Sequence, residues 1–410
     1  MNLVGKTFNH IGDPAMKTNL LISPIKATQE RILENCQEFL SGVNAELKNF
    51  QIEITNDNLM SEPYRLVFIG SGGAAAAFRD LFHKTEGPYV LLSTQYNNSL
   101  PACMEILSYI NDHGSKGQIV YGTYQEIARK LELLDRIFRA KEKLMNMTFG
   151  VLGTPNVLIN SESDPEVLKE SIGINTVEIS MKEVMDAISE KSYPENKYTE
   201  MLMSVAPDKN EMEKSLYVYG GIKRLVDKYH FDGIALRCFD LLEPIKTSGC
   251  IALAILNAEG IYAACEGDTR SLLSMAVLGE ISGEPCFMSN PSRLNTEEST
   301  MLFAHCTLPI NMPETYSLDT HFESGISIAV RGEFTSGDFT LFKCRENMRD
   351  YFVQKGEFVS CPHEELFCRT QLELKIDDWQ TYLIKPLSNH QIICKGNWTE
   401  EVDEFFSWLK

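Results

Sequence analysis

The chain is 410 residues long, 43% apolar and 23% charged, with a formal charge of −19. That length holds two or three separate cores, and the acid excess excludes a protein that grips a phosphate backbone, which needs a basic face. No apolar run approaches the ~20 residues of a membrane helix, and the N-terminus carries no signal-peptide pattern, so the expected setting is the cytoplasm.

Residues 19–25 read as a first buried strand stopped by Pro24. A helix is expected over 29–47, with Ile32, Cys36, Phe39, Leu40 and Val43 on one face. Strands follow at 64–69 and 89–93, each leading through a turn into a helix, the second at 100–110. The turn after residue 69 is Gly70-Ser71-Gly72-Gly73. Ala75 stands where a dinucleotide fingerprint has its last glycine, so a plain strand-to-helix turn accounts for it better.

A helix over 129–145 leads to a strand at 148–152 and a second series of the same kind. It comprises a strand at 177–180, helices at 181–189 and 211–229, and a buried strand at 232–238. Residues 191–210 are polar and proline-bearing and read as an exposed connection. The apolar run 250–256 has strand length.

The pattern changes beyond about residue 315. Segments 325–331, 338–344, 357–359, 371–376 and 382–384 are rich in β-branched and aromatic residues and punctuated by Gly332, Gly337 and Gly356. They predict an antiparallel sheet or barrel, closed by a helix over 399–409. The expected fold is α/β: two N-terminal doubly wound parallel units at 1–148 and 149–260, then a mainly antiparallel β domain at 261–410.

The eleven cysteines form no Cys-x-x-Cys pair, and Cys103, Cys250 and Cys286 sit in apolar runs. They read as small buried hydrophobes of a reducing compartment. His10, His83, His113 and His230 lie in polar or loop-like contexts without evident chemistry.

Residues 261–311 are different. Three short apolar segments there end in polar groups: Glu266 and Asp268, then Asn290, then His305. Strand ends that deliver carboxylate, amide and imidazole groups together are a common way to hold a hard divalent cation. Asp268 also precedes a helix expected over 269–278, where capping is the commoner role. His321 and Glu323 alternate along an expected strand, so both side chains would share a face.

These motifs carry a resemblance. Cys265-Glu266-Gly267-Asp268, Phe287-Met288-Ser289-Asn290-Pro291, His305-Cys306-Thr307, His321-Phe322-Glu323-Ser324-Gly325, Cys368-Arg369-Thr370-Gln371 and Asn389-His390 occur in the order of the L-fucose/L-arabinose isomerase superfamily. Asn98-Ser99-Leu100-Pro101-Ala102 and Phe149-Gly150-Val151-Leu152-Gly153 match more loosely. The chain resembles that superfamily over almost its whole length.

The resemblance implies an aldose–ketose isomerase using Mn²⁺ or another divalent cation, with Glu266, His305 and His390 as metal ligands. The second acid of the family falls at Ser289-Asn290, where Asn290 offers a carbonyl oxygen but no base. The base is then Glu266, Asp268 or Glu323. Asn290, His321, Arg369 and Asn98 are candidate substrate contacts, although an arginine such as Arg369 more often pairs with a carboxylate. Also implied are a free sugar as partner (a pentose, a 6-deoxyhexose or a C6-modified hexose such as a sulfosugar) and a trimer or hexamer. The missing carboxylate keeps open an epimerase or a non-catalytic sugar-binding protein.

Overall fold

A computed structural model describes residues 15–56, 62–153 and 158–409, and His10 lies outside them. They form two compact units, Met1–Arg139 and Ala140–Lys410. Among the described residues no helix is long and apolar enough to cross a membrane.

The first unit is one parallel sheet of β1 (Ala15–Leu21), β2 (Gln51–Ile54), β3 (Arg65–Ile69), β4 (Tyr89–Ser93) and β5 (Gly117–Val120), in the order β2-β1-β3-β4-β5. Every residue of β3 and β4 is buried, as expected where helices cover both faces. The helix Lys26–Glu46 buries Ile32, Cys36, Phe39, Leu40 and Val43, the face read from the sequence. The two strands that periodicity does not reveal, β2 and β5, are the edge strands, each only four residues long and without a long apolar run. A Cβ on Gly70 would stand 2.5 Å from Cys36 Sγ, so close packing of helix on sheet accounts for that glycine.

The second unit begins with β6 (Thr148–Leu152), β7 (Asn175–Ile179), β8 (Gly233–Leu236) and β9 (Tyr262–Ala264), a parallel sheet ordered β7-β6-β8-β9. Residues 250–256, expected as a strand, belong instead to the helix Cys250–Ala258, and all seven are buried. A continuous apolar run has no period that separates a buried strand from a buried helix. The connection at 191–210 contains the helix Lys197–Val205. Asn196 accepts from Tyr198 N and Thr199 N while Thr199 Oγ1 accepts from Asn196 N, a capping box the sequence carries in plain view.

The antiparallel part is β10 (Phe287–Asn295), β11 (Thr300–His305), β12 (Thr315–Thr320), β13 (Ile328–Glu333), β14 (Asp338–Cys344), β15 (Tyr351–Ser360), β16 (Thr370–Ile376) and β17 (Gln391–Lys395). Six of these close a barrel in the order β10-β11-β16-β15-β14-β17, and β12 and β13 pair as a separate hairpin. Residues 382–384, expected as a strand, lie in the short helix Gln380–Ile384, where Asp378 accepts from Thr381 N and Thr381 Oγ1. Sheet and barrel share the helix Thr269–Ser282, which lies against β8 and β9 on one side and β14 and β17 on the other. Twelve of its fourteen residues are buried, as a helix between two layers requires.

Candidate metal centre

The site forms where the C-terminal end of β9 meets the barrel. Glu266 follows β9 in left-handed backbone at φ 58°, and Gly267 repeats it at φ 65°. Gly267 N–H donates to Leu236 O and Asp268 N–H to Cys265 O, which ties this turn to the sheet. A glutamate held there costs on the order of 1 kcal/mol, and its carboxylate faces His305 and His390 of the barrel. His305 ends β11 and His390 immediately precedes β17, the two strands that flank β10.

One donor atom each from Glu266, His305 and His390 lie within 4.8 Å of one another. His305 Nε2 is 3.5 Å from Glu266 Oε1, and His390 Nε2 is 3.7 Å from Glu266 Oε2. Both are longer than a direct hydrogen bond. They fit donors arranged around one ion, since ligands ~2.1 Å from a shared centre stand about 3–3.5 Å apart. The other ring nitrogens are already engaged: His305 Nδ1 with Thr307 Oγ1 at 3.0 Å, His390 Nδ1 with Asp268 Oδ2 at 2.8 Å. Three nearly buried donors therefore converge without satisfying one another, and they fit a divalent cation. Two imidazoles and one carboxylate serve zinc, iron and manganese alike, so the set does not choose among them.

Charge supports this geometry. Burial alone would raise the carboxyl of Glu266, but His305 and His390 beside it hold it well below the ordinary carboxylate range. Burial works against a charged His390, and Asp268 and Glu266 together still raise it above its ordinary value. Asp268 is fully enclosed. Burial would raise it, yet Lys343, His390 and Ser271 bring it down to about 2.

The remaining candidates occupy distinct places. Asp268 caps the helix Thr269–Ser282 by accepting from Ser271 N at 2.7 Å, and it stands behind His390 rather than in the opening. Asn290 lies on β10 between the two histidines in the ladder, opposite Ala304, and its Oδ1 accepts from Asn389 Nδ2 at 3.4 Å. Its neighbour Ser289 is wholly buried. Ser289 and Asn290, where the resemblance implies a second acid, thus bring no carboxylate to this strand.

His321 and Glu323 do not alternate along a strand: β12 ends at Thr320, and they lie in the turn that follows. His321 is buried, with Nδ1 2.8 Å from Ser324 Oγ. Burial, then the charges of His305 and Arg369, keep it neutral to lower pH. Glu323 is exposed as a residue, yet partial burial and the charge of Glu266 raise its carboxyl. Arg369 Nε donates to Thr320 O at 2.7 Å and faces Asp319 at 3.6 Å, so its guanidinium braces this same turn. Asn98 belongs to the first unit, at the start of the helix Ser99–Asp112, in left-handed backbone at φ 56°.

Sequence reasoning misses Lys343 and Ser271. Lys343 is 1% exposed, and its Nζ donates to Ser271 Oγ at 2.6 Å. The available signal is the charge itself, one lysine inside the apolar alternation of β14.

No family model matches the chain. It is 21% identical over 333 residues to a sulfoquinovose isomerase of Alkalicoccus urumqiensis, covering 75% of this chain and 74% of that protein. A sulfoquinovose isomerase of Clostridium sp. (strain MSTE9) is 25% identical over 197 residues, 46% of this chain and 44% of that one. The chain is a distant relative of these isomerases, and it has a Glu/His/His cluster able to hold a divalent cation.

Proposed function

We propose that this protein is a divalent-metal-dependent aldose–ketose isomerase whose substrate is a hexose carrying a sulfonate at C6. The convergence of Glu266, His305 and His390 at the mouth of the barrel carries the reading, and the two relatives, both sulfoquinovose isomerases, support the substrate class. The expected ion is Mn²⁺, the expected compartment the cytoplasm, and the expected assembly a trimer or hexamer.

Glu266, His305 and His390 would hold a divalent ion, which when bound would stabilise the negative charge of an enediolate. The proton chemistry falls to the turn after β12. Glu323 removes the proton from C2, the electron pair of that bond forms the C1–C2 double bond, and the C1=O π pair moves onto O1. His321, kept neutral by burial, passes the O2 proton to O1. Glu323, exposed and exchanging its proton with solvent, then protonates C1 as the O2 pair forms the C2=O bond, giving the ketose. A carboxyl raised toward neutral is better matched to this work than one held ionised by two imidazoles. Arg369 holds the turn in place and presents positive charge at its edge.

The missing carboxylate at 289–290 favours a second reading, an epimerase or a non-catalytic sugar-binding protein. The full chain, loaded with Mn²⁺ in D₂O and given sulfoquinovose, L-fucose and L-arabinose, separates them. An isomerase yields a ketose with deuterium at C1 and stops on chelation. An epimerase exchanges C2 and yields no ketose, and a binding protein exchanges nothing.

A further inference from the structure

We propose that Lys343 is a positioning residue for the metal centre: from inside the barrel it holds His390, through Ser271 and Asp268, with Nε2 turned toward Glu266. This rests on the reading of Glu266, His305 and His390 as metal ligands.

The contacts form one unbroken chain. Lys343 Nζ donates to Ser271 Oγ at 2.6 Å and lies 3.7 Å from Asp268 Oδ2. Ser271 Oγ donates to Asp268 Oδ2 at 2.7 Å, and Ser271 N–H donates to Asp268 Oδ1 at 2.7 Å. Asp268 Oδ2 is 2.8 Å from His390 Nδ1. An ionised carboxylate only accepts, so Nδ1 carries a proton, and whenever the ring is neutral the lone pair is on Nε2. That is the state a ligating imidazole needs, and an outer carboxylate commonly enforces it.

The two charges behind His390 are out of water. Lys343 is 1% exposed and Asp268 0%, and among the described residues Lys343 is the one buried lysine. A buried ion pair contributes little net stability, and apolar side chains of similar volume often do as well. The pair is more useful to the site than to the core. Lys343 comes from β14 and Asp268 from the cap of the helix shared by sheet and barrel, so the contact also registers those layers against each other.

The test uses the full chain with Mn²⁺ for affinity and Co²⁺ for the visible spectrum. Lys343→Met should weaken Mn²⁺ binding ~10–100-fold and alter the Co²⁺ spectrum. The double variant Lys343→Met/Asp268→Asn removes both buried charges and should recover thermal stability lost in the single variant, but not the affinity. If Lys343→Met does not fold, the double variant alone decides. Native affinity and a native Co²⁺ spectrum in either variant overturn the proposal. Imidazole ¹⁵N shifts of His390 in metal-free protein separate this from the metal reading. A native protein that binds no Mn²⁺ yet loses the Nδ1–H signature in the variant would fail the metal reading and keep the positioning role, whereas unchanged shifts would remove it.

Discussion

The two walls of the site are built differently. The barrel wall, His305, His390 and the Asp268–Ser271–Lys343 chain behind them, is almost fully buried, and every outward ring nitrogen is fixed by a partner. The opposite wall is a turn, where His321 makes one local hydrogen bond and Glu323 is exposed. A metal needs donors held within a few tenths of an ångström, whereas a proton carrier must meet the substrate and move between C2 and C1. The contrast fits the proposed division, with ion binding at the barrel and proton transfer at the turn.

Substitutions on the two walls should therefore differ in kind. The largest effect is expected from Glu266→Gln. It removes the charged ligand while keeping an oxygen, so turnover should be abolished and metal affinity fall sharply, with the fold intact. Metal content by mass spectrometry and circular dichroism check it. Glu323→Gln should cut turnover ~10²-fold or more with metal content near native. A variant that lost metal as well would erase the distinction between the walls.

The pH dependence sharpens the same contrast. His390 is raised above 6.5 in the metal-free fold by Asp268 and Glu266 in spite of its burial. Its contribution to metal-free stability is fully present below pH 6.5 and is lost as pH rises through the raised value. A ligating imidazole must give up that proton, so metal affinity should fall as pH drops through the same range. Calorimetry in buffers of different ionisation enthalpy would register the released proton. On the turn, Glu323 is raised above 4.5, so turnover at saturating metal should decline on the acid side at a pH higher than for an ordinary carboxylate.

A smaller effect is expected from Asn290→Asp, on the strand between the two histidines. It should tighten metal binding without raising turnover, because the proposed base, Glu323, is on the other wall. A clear gain in turnover would move the base to β10.

How much of this was legible follows from where each signal lives. The buried strands β3, β4 and β6 are continuous apolar runs ending in turns, and they stand where the sequence places them. The run 250–256 shows the limit, since total burial erases the period that would mark it as a helix. Of the cluster able to hold a cation, Glu266 and His305 were readable because they close apolar segments, whereas His390 was reached only through the resemblance. Their second layer was not readable, because Lys343 is 75 residues from Asp268 and only barrel closure on the shared helix brings them together. Glu323 was singled out on an expected alternation that is absent, and its position near Glu266 comes from the turn after β12.

The most direct measurement is proton NMR of sulfoquinovose incubated in D₂O with the Mn²⁺-loaded protein. The expected result is a ketose product bearing deuterium at C1, lost on chelation and restored by Mn²⁺. No exchange with metal bound, across sulfoquinovose, L-fucose and L-arabinose, would contradict it.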